Sequence, residues 1–262
     1  MTSFAKKFFK LDSKVFLFLM LIFTFSSLSV NAATKEDALT TVVNFLKAQK
    51  NCNTDIMMSH SQYFHKVENV KEFYTRFCTE NPLQQAKITN LNIVNEETAL
   101  VSIQSTYKDM VNLRTTPVIK IDGQWKIVIG IPPSGVRSTK NQNRTRKEAE
   151  VEQLFKDYTN AIKAHDIQKM KTFIKILPKA SNEKIEKHLE ALSQQPTPEV
   201  TTYGINMISD SLAIAQVEIK YPNHSYTQNL AACNENGQWK MIFGHPLTNS
   251  FIPKGDKSVD IK

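Results

Sequence analysis

Apolar residues at Ala38, Leu39, Val42, Val43 and Leu46 recur at steps of three and four, the spacing of one buried stripe on a helix. Glu36 and Asp37 stand at its start, where the helix dipole favours negative charge. Two shorter helical stretches follow over 55–65 and 68–77. Asn81-Pro82 closes the helical run, because a residue before proline is pushed toward extended backbone. The period then changes to alternation, predicting strands over 88–94, 99–107, 113–121 and 125–131. Asn95-Glu-Glu-Thr98 and Asp122-Gly-Gln124 supply tight turns between them. The same order returns further on, with helices over 148–164, 167–176 and 182–192 and strands over 200–208, 212–221, 225–233 and 239–243.

This recurrence extends to the residues. Gly123-Gln-Trp-Lys-Ile-Val-Ile-Gly-Ile-Pro132 reappears 114 residues on as Gly237-Gln-Trp-Lys-Met-Ile-Phe-Gly-His-Pro246, with six identities in ten. The same shift sets Tyr107 on Tyr221, Ile103 on Val217 and Ala99 on Ala213, and a shift of 116 sets Leu46-Lys-Ala48 on Ile162-Lys-Ala164. The pattern reads as a tandem duplication: unit 1 over 33–133, a linker over 134–147, unit 2 over 148–247 and a polar tail over 248–262. Helices followed by an antiparallel meander make each unit α+β, three N-terminal helices covering one face of a curved four-stranded antiparallel sheet.

Three helices, a four-strand meander and a closing Asp/Asn-Gly-Gln-Trp-Lys hairpin resemble the nuclear-transport-factor-2-like (cystatin-like) fold, and within it the small exported bacterial domains of lumazine-binding-like type and their uncharacterised relatives. The resemblance covers both units. It implies a cavity between helices and sheet, in a fold that hosts isomerases, dehydratases, cyclases, transport factors and non-catalytic domains, so it leaves activity open.

The first 32 residues carry different information. Lys6, Lys7, Lys10 and Lys14 precede the apolar run 15–23, and Val30-Asn-Ala32 offers small residues for cleavage, the layout of a secretory signal peptide. The run is about half of the roughly 20 residues that a membrane span needs. The expectation is a secreted, periplasmic or cell-envelope protein, the alternative an uncleaved N-terminal anchor. Composition adds that the chain is globular, being 41% hydrophobic and 22% charged. The net charge of +8 is unevenly placed. Both units are close to neutral, while the linker carries Arg137, Lys140, Arg144, Arg146 and Lys147 and no acid. No broad basic face exists for nucleic acid. The basic linker reads either as a solvated connector or as a weak contact with an anionic envelope polymer.

Cys52 follows the first helix and Cys78 ends the third. In an oxidising compartment they would close a disulfide loop, worth about 3 kcal/mol in the chain-entropy model; the alternative is two unpaired thiols. Cys233 matches Ile119 on a strand and reads as a buried thiol. No cysteine or histidine spacing marks a metal site, and no cofactor motif occurs. The strands of unit 1 carry acids only in turns. Glu218, in mid-strand of unit 2, lies on the face opposite Val217 and suits a pairing with Lys240. We therefore expect no catalytic residue. Tyr63, Tyr107, Tyr158, Tyr221 and His245 are the candidate ligand contacts, His245 because it replaces Ile131 within the repeated motif. Trp125 and Trp239 are expected to anchor the hairpins against the helices.

The leading expectation is a non-catalytic protein that binds an unknown protein partner or small ligand at the envelope, a monomer with its two units packed together. The alternatives are a small-molecule isomerase, dehydratase or cyclase, and an envelope tether acting through the linker.

Overall fold

The computed structural model describes residues 34–65, 68–132, 144–177 and 181–254. The expected signal peptide over 1–32, Arg137 and Lys140 lie outside the described residues.

The chain is α+β, with six helices and two sheets among the described residues. The first half runs α1 (34–50), α2 (Thr54–Ser59), β1 (Ser61–Tyr63), α3 (Val70–Glu80), β2 (Gln85–Asn95), β3 (Thr98–Thr106), β4 (Met110–Ile121) and β5 (Gln124–Ile129). The second half runs α4 (Arg146–Lys163), α5 (Ile167–Thr172), β6 (Ile174–Lys175), α6 (Asn182–Ser193), β7 (Glu199–Ser209), β8 (Leu212–Lys220), β9 (Ser225–Glu235) and β10 (Gln238–Ile242), and β11 (Thr248–Pro253) follows. The sheets are ordered β1-β5-β4-β3-β2 and β6-β10-β9-β8-β7.

Local chemistry explains the boundaries. Thr145 and Glu148 form a reciprocal capping box that starts α4. The Asp122-Gly123 and Asn236-Gly237 turns have positive φ at both residues, the conformation whose twist matches the flanking strands. Register shifts interrupt β2–β3 pairing between Ile88 and Asn90 and between Ile93 and Asn95. In β7–β8 they fall between Thr202 and Gly204 and between Met207 and Ser209, each 114 residues later.

Four expectations are corrected. The sheets are not four-stranded, because β1 and β6 each add a parallel strand beside β5 and β10. The helices expected over 55–65 and 167–176 accordingly stop early. Strands of three and two residues are too short to show alternation, and only the open edge of a finished sheet specifies them. The linker expected over 134–147 overlaps α4, which begins at Arg146. The tail is not merely polar: β11 pairs antiparallel with β4, from Thr248 opposite Thr115 to Pro253 opposite Met110. It occupies the length of β4 beyond the reach of β5, whose pairing covers Val118 to Ile121.

Strand alternation sends side chains into separate cores. Ala99, Val101 and Ile103 of β3 pack with Val42, Phe45 and Trp125 against the helices of the first half. Ala213, Ala215 and Val217 of β8 do the same with Leu154, Phe155 and Trp239. Residues of the other parity, Leu100, Ile119 and Val128 from the first sheet and Leu212, Ile214, Ala231 and Cys233 from the second, form a third core shared by both halves. Burial pushes the Cys233 thiol up to about 11. Polar bonds reinforce this junction: Asn229 Nδ2 donates to the Pro132 carbonyl at 2.9 Å, and Asn249 Nδ2 to the Ile131 carbonyl at 2.9 Å.

Cys52 and Cys78, the expected disulfide pair, stand as two thiols in this structure. They are nonetheless neighbours, and burial together with the Cys52 thiol pushes Cys78 up to about 12. Glu218 pairs with the Tyr203 hydroxyl at 2.6 Å instead of Lys240, while Lys240 reaches Glu235 at 3.4 Å. No helix among the described residues is long and apolar enough to cross a membrane.

Because β11 covers one end of β4, a chain ending at Leu247 should melt roughly 5 °C lower or more. Hydrogen exchange should localise the loss to 110–115 and leave β8 and β9 protected; uniform loss across both sheets would contradict this placement.

Candidate functional site

The second half opens into a cavity of about 560 Å³, within the range of small-molecule sites. Helix α4 supplies Phe155, Tyr158 and Ile162, and α6 supplies Ile185, His188 and Leu192. The facing sheet supplies Val217, Ile219, Leu230 and Met241. These positions follow from periodicity: Phe155, Tyr158 and Ile162 recur at three- and four-residue steps on the buried stripe of α4, while Val217 and Ile219 share one face of β8.

Three of the five candidate contacts, Tyr158, Tyr221 and His245, converge on this cavity. The Tyr158 hydroxyl is enclosed without a hydrogen-bond partner. Burial and nearby Tyr221 raise its pKa, so it stays protonated and available to donate. Tyr221 lies just past β8, its ring stacked on His224 at 4.9 Å between centroids; His224 in turn stacks on Tyr226 at 6.1 Å. His245 lies in the turn after β10, and burial lowers its pKa, keeping the ring neutral. The substitution of His245 for Ile131 relocates the side chain's role: Ile131 packs in the core between the sheets, whereas His245 faces the cavity.

Tyr63 and Tyr107 line a different and smaller cavity, about 150 Å³, in the first half. Gly130 forms part of its wall with φ +79°, and a Cβ there would stand 3.2 Å from the Tyr63 ring. Sequence reasoning missed His188, Tyr226 and Gln228 in the larger cavity and Arg114 in the smaller one. The 114-residue shift that sets Arg114 on Gln228 carried this signal, since matched positions with unlike chemistry mark where two copies diverge.

The larger cavity can enclose an apolar or aromatic body, offer a phenol hydrogen to an acceptor and stack a ring at its rim. None of its lining residues is a carboxylate. Asp55 of α2 and Asp157 of α4 are engaged elsewhere, with Lys71 at 2.8 Å and with Gln153 at 2.9 Å. No cluster among the described residues suits a metal. The linker cations are also engaged: Arg144 with Glu152, Arg146 with Glu150 and Lys147 with Asp210.

Among solved structures, the chain is similar to an NTF-2 like protein of unknown function from Silicibacter pomeroyi, at 14% identity over 42% of this chain and 100% of that one, with a TM-score of 0.31. It is also similar to an Ntf2 like protein involved in plasmid conjugation, at 12% identity over 84% and 97%, TM-score 0.26. A cystatin-like protein from Ruminococcus gnavus matches at 8% identity over 86% and 95%, TM-score 0.25. No protein-family model matches the chain, and no curated protein matches it in sequence.

The lowered pKa of His245 has a consequence for stability. Below about pH 6.5 the unfolded chain takes up a proton that the buried ring resists, so stability falls as pH drops through that value. His60, lowered by burial and by Lys126, acts in the same direction. Urea melts at pH 7.5 and 5.5 should show the loss, and His245→Gln should make it smaller; an unchanged pH dependence in that variant would contradict the burial of the ring.

Proposed function

We propose that this chain is an exported, non-catalytic binding protein made of two copies of one nuclear-transport-factor-2-like unit, the second of which holds a small, largely apolar ligand. The observation that carries the reading is the 560 Å³ cavity, whose unpartnered Tyr158 hydroxyl offers one directional contact inside an apolar wall. A buried donor without a partner costs stability, and a ligand acceptor repays that cost. The duplication is supported by the matched β-bulges and positive-φ turns as well as by the repeated decapeptide. Export is supported by the arrangement of the first 32 residues.

Native mass spectrometry of the mature protein from its own host's secreted fraction should show a reproducible non-covalent adduct. Ile219→Trp, which fills the cavity from the end of β8, should abolish the adduct with little change in melting temperature. Turnover of a hydrophobic substrate that is lost in His245→Gln would replace the binding role with catalysis.

The same spectra test the compartment. We propose that Cys52 and Cys78 become linked after export, so the non-reduced mass should be two hydrogens below that of the reduced chain. Two alkylatable thiols at these positions in native secreted protein would contradict the linkage.

A further inference from the structure

The smaller cavity has a chemistry the larger one lacks. Arg114 of β4 lines it, and its Nε is enclosed without a hydrogen-bond partner. Among the described residues its guanidinium forms no ion pair, and the groups facing it are the phenols of Tyr74 and Tyr107. Among the described residues no carboxylate lines the cavity. Arg114 is half-buried, with its Nε enclosed, and a guanidinium partly withdrawn from water without a counter-charge is unfavourable. Proteins normally pair such a group, and here the protein supplies only neutral oxygens.

The surrounding polar atoms are also left open. The Tyr63 hydroxyl and Gln49 Oε1 are enclosed and unpartnered. Gln49 Nε2 donates to the Tyr107 hydroxyl at 3.0 Å, which leaves the Tyr107 proton free to donate in turn. Tyr74 is already engaged with Ser61 at 2.6 Å. The cavity thus presents a planar cation, two phenol donors and one amide acceptor. Its volume of about 150 Å³ equals roughly five water volumes. Asn112 and Asn249 complete the wall, joined by a 2.9 Å hydrogen bond from Asn112 Nδ2.

We propose that the first half binds a small organic carboxylate, paired with the Arg114 guanidinium, with a hydroxyl or ammonium group of the same ligand donating to Gln49 Oε1. The planar fork of arginine matches the two oxygens of a carboxylate, and Tyr63 and Tyr107 supply further hydrogens to them. The site goes beyond the apolar site of the second half. There the matched residue is Gln228, which carries no charge, so the two cavities select ligands of different class.

The test uses the full mature chain, with thermal melting and calorimetric titration against acetate, glycolate, lactate, glycine and inorganic phosphate at constant ionic strength. Glycolate, lactate or glycine should raise the melting temperature saturably, more than acetate does. Arg114→Gln, which copies the second half, and Arg114→Met should weaken that binding roughly 30-fold or more. Both should melt at or above the temperature of the unliganded parent, because an uncompensated charge has been removed. Saturable binding of phosphate without any carboxylate, no binding at all, or carboxylate binding unchanged in Arg114→Met would each overturn the proposal. Ile219→Trp should leave the carboxylate effect intact, and Arg114→Met should leave the apolar adduct intact, so either site can fail without the other.

Discussion

Burial on both faces of both sheets is the constraint on which the rest of this molecule depends. A sheet covered by helices on one side has a second side to hide, and here each sheet hides it against the other. Leu100, Ile119 and Val128 meet Leu212, Ile214 and Cys233 in a core shared by both halves. With the outer faces occupied in this way, the helix-facing sides are left to form cavities. Each central strand thereby buries apolar side chains on both of its faces. Two cavities then form, each roofed by the helices of its own half.

The two cavities sit on similar strand arrangements and differ in chemistry. The bulges, the turn residues of positive φ and the strand order recur at matched positions, so the geometry is held constant. Volume and charge differ through the lining side chains and through β11, which brings Asn249 to the first cavity alone. In the first half Tyr63, Phe73, Tyr74, Phe77 and Tyr107 crowd the space beneath the helices and leave a small, polar remainder around Arg114. In the second half Ile185, Leu192 and Leu230 occupy less of it, and an arginine is replaced by Gln228.

Much of this was legible in the sequence. Helical stripes such as Phe155, Tyr158 and Ile162, and alternation such as Ala213, Ala215 and Val217, are written by burial on one side. The repeated decapeptide located both closing hairpins. Tyr221 and His245 were found because they sit at strand ends, at matched or mismatched positions, and Tyr158 because it lies on a helix facing the sheet. What was not legible depended on contacts made only in the folded chain. β1, β6 and β11 are short segments whose pairing is specified by an edge already in place, and nothing in their own residues announces it. Nothing in the strand pattern set Arg114 apart, since its role requires the cavity around it. Arg144, Arg146 and Lys147 read as free charge because their partners, Glu152, Glu150 and Asp210, lie on elements whose position the local sequence does not fix.

β11 imposes an order of events. Its Asn249 reaches the Ile131 carbonyl and accepts from Asn112, and the backbone N–H of Lys254 donates to the Asp109 carbonyl at 2.9 Å. These residues are synthesised after the whole of the second half, so the first half emerges earlier yet waits with β4 partly unpaired and its cavity lacking one wall. Vectorial synthesis, in which the earlier segment folds first, therefore cannot finish this protein in sequence order. A strand must return across more than a hundred residues to seal the part that was made first.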